Sequence, residues 1–126
     1  MKRMYIGIVL LAVMLAAGIL MSVLFLRLHQ PLSATLEQAK MAALSGDWEQ
    51  TARLTDQAHQ QWQQCRNFTA AVADHEPLEE MDALFARLEV LCRMRQADEF
   101  ASDCAQLSRL AQAMADSQQI TWWNLL

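Results

Sequence analysis

The side chains with most scope for chemistry are a histidine and a glutamate four residues apart, His75 and Glu79, together with three cysteines and four tryptophans. A histidine and a carboxylate at i and i+4 share one face of a helix and could hold a divalent metal. Around them Asp74, Glu76, Glu80 and Asp82 crowd together, with no Lys or Arg between Arg66 and Arg87. Pro77 weighs against a metal site, because residues before a proline avoid helical geometry and the helix is then expected to start at Pro77 itself. The plainer reading is a capped helix start, with carboxylates gathered at the positive end of the helix dipole. No metal and no cofactor is expected, and His75 with Glu79 stays the only candidate pair.

Cys65, Cys92 and Cys104 are too few for a disulfide scaffold and lack zinc-site spacing. Cys92 and Cys104 lie almost symmetrically about a turn near Asp98, so an antiparallel hairpin could bring them together as a disulfide. The rival reading is two small buried apolar residues, which free cysteines commonly are. Cys65 falls on an apolar stripe and reads as core. His29, His59 and His75 are scattered, and the chain has no Gly-rich phosphate loop, nucleophile elbow or paired-cysteine motif. No catalytic residues are expected and the chain does not read as an enzyme.

Trp48 and Trp62 share one helix face, where large aromatics are core; Leu84, Leu88 and Leu107 join them as expected core residues. Trp122 and Trp123 differ, because they follow the last helix in a short apolar tail with Leu125 and Leu126. That tail could fold back on the domain, touch the membrane interface, where tryptophan concentrates, or dock a partner. Trp122, Trp123, Leu125 and Leu126 are the candidate interaction residues.

The elements that must position these residues divide at an uncharged run from Met4 to Leu26. At about 1.5 Å per residue a helix of that length covers the roughly 30 Å hydrocarbon core. A signal peptide has a shorter apolar stretch and a small-residue cleavage site. Ala16-Ala17-Gly18 could serve as one, but the apolar run continues beyond it, so an uncleaved anchor is expected. No cysteine follows closely, which argues against lipoprotein processing. Lys2 and Arg3 place the N-terminus in the cytoplasm and the rest of the chain outside. Within the span, Ala12 with Ala16 and Gly18 with Ser22 have the small-xxx-small spacing that lets helices approach closely.

Beyond the anchor, eight Lys and Arg face fourteen Asp and Glu, once Lys2 and Arg3 are set aside. Nucleic-acid binding needs a basic face to neutralise phosphates, so none is expected. Ala, Leu, Gln and Glu dominate, and no stretch alternates with period two, which predicts helices and no strands. Pro31 separates the span from a short helix at about Ser33–Leu44, with Ser33 as its N-cap. Ser45-Gly46 ends that helix and Asp47 caps a second, Trp48 to about Ala73, with an apolar stripe of Trp48, Ala52, Thr55, Ala58, Trp62, Cys65, Thr69 and Val72. A third runs from Pro77 to about Met94, and a fourth from about Asp98 to Ser117. Short connections force antiparallel neighbours.

The expected fold is all-α: an N-terminal transmembrane helix, then an antiparallel bundle of about four helices in two hairpins. The segment Leu36 to Ala58 is faintly similar to one tetratricopeptide hairpin. The expected organisation is a cytoplasmic N-terminus (1–3), anchor (4–26), linker (27–32), extracytoplasmic bundle (33–119) and apolar tail (120–126).

Ser45-Gly46-Asp47-Trp48-Glu49, Trp62 fourteen residues after Trp48, Asp74-His75-Glu76 and the terminal Asn124-Leu125-Leu126, behind an apolar N-terminus, form a pattern. It resembles an uncharacterised family of small membrane-anchored proteins from spore-forming Gram-positive bacteria, the domain of unknown function DUF4363. The resemblance covers nearly the whole chain. It implies single-pass topology, a helical outer domain and a multi-pass membrane protein as partner, and it supplies no catalytic residues. The chain departs from the family pattern at Thr51, where alanine is usual, and in using Arg and Gln in place of Lys.

The function expected from these readings is a non-enzymatic accessory protein, anchored in the lipid bilayer and binding a membrane protein or itself. An extracytoplasmic sensor or ligand- and metal-binding module is one alternative, and a self-assembling structural protein is another.

Overall fold

The computed structural model of the chain describes residues 1–72 and 75–125, and the side chains of all of these except 25, 26, 28, 29, 68, 72 and 118–125. Four helices account for the described residues, which include no strand: α1 (Lys2–Leu44), α2 (Trp48–Val72), α3 (His75–Arg93) and α4 (Ala97–Leu125). Short turns make sequential neighbours antiparallel. α1 and α3 each pack on both α2 and α4, which closes the four helices into a ring around one core.

The break expected at Pro31 does not occur; α1 runs through it without interruption. A proline inside a helix removes one hydrogen bond and crowds the preceding turn, costing about 3 kcal/mol. Just beyond it, Leu32 and Leu36 are wholly buried, with Ala39 and Ala43. Full burial of a leucine contributes about 1.5–3 kcal/mol, so two of them outweigh the proline. The Pro31 carbonyl also accepts a hydrogen bond from the Thr35 hydroxyl at 2.8 Å. Residues expected as a linker are thus helix, and Ser33 lies within α1 rather than capping a new helix.

The two halves of α1 have opposite surroundings. Lys2–Leu24 is long and apolar enough to cross a membrane, and no part of it is buried to the degree of a core helix. Residues 32–43 form one wall of the bundle core.

The turn after α1 follows from Gly46 and Asp47. Gly46 takes a left-handed φ of 83°, where a side chain would be strained. Its N–H donates to the Ala43 carbonyl and that of Asp47 to Ala42, which satisfies carbonyls the helix end leaves open. Asp47 then caps α2, its Oδ1 accepting from the Gln50 N–H at 3.2 Å. The α3–α4 turn repeats this pattern with Arg95 at φ 54°; Arg95 donates to Cys92 and Gln96 to Leu91.

On α2, Thr51, Leu54, Thr55, Ala58, Trp62, Cys65 and Thr69 are buried. Ala52, expected on this stripe, is exposed, and Trp48 is half-buried against the core. The inward face is rotated by one residue at its start because Thr51 can bury: its hydroxyl donates to the Asp47 carbonyl at 2.7 Å. α3 starts at His75 rather than at Pro77. A proline in the first turn costs little, since the N–H it lacks there has no helical partner anyway. α3 buries Leu78, Met81, Leu84, Phe85, Leu88 and Leu91, and α4 buries Phe100, Cys104, Leu107, Ala111, Met114 and Ala115. The α4 backbone stays helical to Leu125, past the end expected at Ser117.

Candidate functional site

Three sets of polar or reactive side chains stand out in the bundle. The first bridges α2 and α3. Trp62 has no exposed surface, and its indole Nε1–H donates to Asp82 Oδ1 at 2.7 Å. Arg66, one turn further along α2, donates from Nε to Asp82 Oδ2 at 2.9 Å. Phe85 stacks on the Trp62 ring, with centroids 6.5 Å apart, and on the His59 ring at 5.2 Å. Burial works against the Asp82 charge, but the bonds from Arg66 and Trp62 and the positive field of Arg66 and His59 outweigh it, so its pKa lies below the ordinary carboxylate value. The same contact raises the Arg66 pKa, chiefly through the hydrogen bond to Asp82. With one oxygen taken by Trp62 and the other by Arg66, Asp82 acts as a cross-brace between helices.

The second set joins α3 to α4. The Asp103 carboxylate is buried, and Arg87 on α3 reaches it with Nε 3.0 Å from Oδ2. Arg87 also lies 3.7 Å from Glu99. The approach to Oδ2 is a charge contact without hydrogen-bond geometry. Burial raises the Asp103 pKa, Arg87 opposes that and Glu99 adds to it.

The cysteines form the third. All three are free, and the Cys92–Cys104 bridge weighed on sequence grounds is not formed. The two thiols have different surroundings: Cys92 is half-buried and feels the charge of Asp56 on α2, whereas Cys104 is buried and feels Asp103 on its own helix and Lys40 and Glu37 on α1. A position symmetric about a turn fixes height along a hairpin but not the facing direction, and a disulfide requires both. Burial pushes the Cys104 thiol up to about 12 and the Cys65 thiol up to about 11. Such thiols are protonated and poor nucleophiles.

His75 and Glu79 both lie on α3, in its first turns, and both are exposed. Among the described residues no group of three or more His, Cys, Asp or Glu could hold a metal ion. Asp74 lies outside the described residues. So do the side chains of Trp122, Trp123 and Leu125, and the whole of Leu126. Of the core residues named from sequence, Trp62, Leu84, Leu88 and Leu107 are buried. Trp48 is half-buried and meets Phe100 edge-on at 6.4 Å.

The Trp62–Asp82–Arg66 brace is not legible in the sequence, where Asp82 reads as part of the acidic helix start. A signal existed: Asp82 immediately follows core residue Met81, and so borders the inward face. A shallow groove between α1 and α2, lined by Ala34, Glu37, Gln38, Met41 and Leu54, also appears only once the two helices are paired.

No curated protein and no solved structure matches the chain. Residues 22–125, the second half of α1 and the three helices after it, match the family model described as domain of unknown function DUF4363, and the chain belongs to that family.

Proposed function

We propose that this protein is a membrane-anchored accessory protein whose helical domain, outside the cytoplasm, binds an integral membrane protein. The observation that carries the reading is α1. One unbroken helix supplies both the apolar segment and a wall of the bundle core, through Leu32, Leu36, Ala39 and Ala43. A domain joined to its anchor in this way is held at a set depth and rotation relative to the bilayer. That suits presentation of one face to a neighbour fixed in the same membrane; a module that captures soluble ligands gains nothing from it.

Retention of the apolar half as an anchor is supported by the same continuity, since cleavage after Gly18 would cut α1 within its helix. Lys2 and Arg3 at its start favour a cytoplasmic N-terminus. Exposed Met41 and Leu44 near the end of α1, beside the α1–α2 groove, offer apolar surface to a partner. The core tryptophans and the Asp82 brace are read as structural. The family likeness also supports a source among spore-forming Gram-positive bacteria.

The test is purification of the full-length protein from its native membrane in gentle detergent, with mass spectrometry of what accompanies it. One integral membrane protein in constant stoichiometry, lost on Met41→Asp, is the expected result. A preparation containing only this chain would overturn the accessory reading.

A further inference from the structure

The register of α1 against α4 can be followed down to the membrane. Near the top of the bundle, Cys104 on α4 lies within electrostatic reach of Lys40 and Glu37 on α1. The two helices run antiparallel and each rises about 1.5 Å per residue. Leu125 is twenty-one residues below Cys104, so the α4 backbone ends, about 32 Å lower, level with residues 16–19 of α1. This stretch of α1 belongs to the uncharged apolar run.

Burial along α1 agrees with this register. Gly18, Met21 and Ser22 are half-buried, whereas Ile19, Leu20, Val23 and Leu24 around them are exposed, at 63%, 61%, 43% and 42%. Spacings of three and four put the covered residues on one face. Charge agrees as well. Arg27 is the first charged residue on α1 above the apolar run, and Asp116 is the last on α4. Twelve residues below Cys104, Asp116 stands level with residues 25–28 of α1, so both helices lose their charges at one height. From Ser117 to Leu126 the chain is uncharged and includes Trp122 and Trp123, a residue type that concentrates in the membrane interface.

We infer that the last two turns of α4 lie along the Gly18, Met21 and Ser22 face of α1 within the outer leaflet of the bilayer. The chain then meets lipid there as two helices, and the bundle sits in the headgroup layer instead of standing above it. Gly18 and Ser22 permit the close approach. The inference rests on the anchor reading but not on any protein partner.

The test uses the full-length protein with Cys92→Ser, in phosphatidylcholine vesicles. Ser22→Cys is combined in turn with a cysteine replacing Gln119, Ile120, Thr121 or Trp122, and oxidised with copper phenanthroline. At least one pair should close within the chain, at ten times or more the yield of the matching pairs made with Leu20→Cys on the exposed face. No pair above that control, or closure only between two chains, overturns the seating. In parallel, lipids brominated high in the acyl chain should quench tryptophan emission at least twofold less when Trp122 and Trp123 are both replaced by Phe. Unchanged quenching would show the end of α4 to lie outside the bilayer and overturn the proposal even if a pair closes. Extraction from the vesicles by alkaline carbonate would remove the anchor reading itself, whereas a failed partner purification would leave this inference standing.

Discussion

Replacing Asp82 by alanine tests whether the brace between α2 and α3 works through a buried donor or through an ion pair. Trp62 has no exposed surface, and Asp82 is the acceptor for its indole N–H. Removing that acceptor leaves a buried donor unsatisfied, which costs about 1–3 kcal/mol. The ion pair adds little, because the Arg66 and Asp82 side chains are 38% and 39% exposed and water screens them. A central value of about 2 kcal/mol corresponds to a fall in Tm of roughly 8–16 °C for a domain of this size. The assay is thermal and urea unfolding of the full chain in micelles, followed by circular dichroism. Arg66→Ala should lower Tm by less than a third as much. In a Trp62→Phe background, where the donor is already gone, Asp82→Ala should cost below about 0.5 kcal/mol. The native-state pKa of Asp82 is depressed, so its contribution is complete above the unfolded carboxylate pKa of about 3.9 and is lost as pH falls through the lower native value. The difference between wild type and Asp82→Ala should thus be flat above about pH 5 and shrink in stronger acid. An undiminished cost in the Trp62→Phe background, or an Arg66→Ala effect equal to that of Asp82→Ala, would refute the argument.

Asp103 should behave in the opposite sense. Its pKa is raised by burial, so the folded state binds the proton more tightly and this group's contribution improves as pH falls from the native pKa toward about 3.9. Asp103→Asn should abolish that component in pH-dependent urea titrations; an unchanged pH profile would count against it. Cys92 should react first with a thiol reagent at pH 8, because Cys65 and Cys104 are buried with pKa values near 11 and 12, leaving about a thousandth or less as thiolate. Equal rates for all three would contradict the burial pattern. Gly46→Ala should cost about 1–2 kcal/mol by urea titration, since φ is 83° and an added Cβ meets nothing within 4 Å. A neutral result would mean that the α1–α2 turn relaxes.

Most of the helical framework is legible in the sequence, since caps and periodicity are local. Gly46-Asp47 marks a turn by its own chemistry, and α3 shows its whole buried face in the spacing from Leu78 to Leu91. The reading fails where a distant contact decides. Pro31 signals a break, but the burial of Leu32 and Leu36 against two other helices outweighs it, and that burial is invisible until the ring is assembled. Ala52 looks like a stripe member by type, yet Thr51 takes the inward place because its hydroxyl can be satisfied within its own helix. The Asp82 brace needs the register between α2 and α3, and the cysteine geometry needs facing directions that spacing along the chain does not hold.

The anchored arrangement requires α1 to be one rigid helix from the apolar segment into the core. Spin labels at Leu15→Cys and Leu44→Cys, both exposed positions on α1, report on it directly in the Cys92→Ser protein reconstituted into bilayers. Twenty-nine residues of unbroken helix separate the labels by about 44 Å, and pulsed electron paramagnetic resonance should return a narrow distribution near that value. A broad distribution centred well below it would show that the chain bends at Pro31, and would remove the observation on which the accessory reading stands.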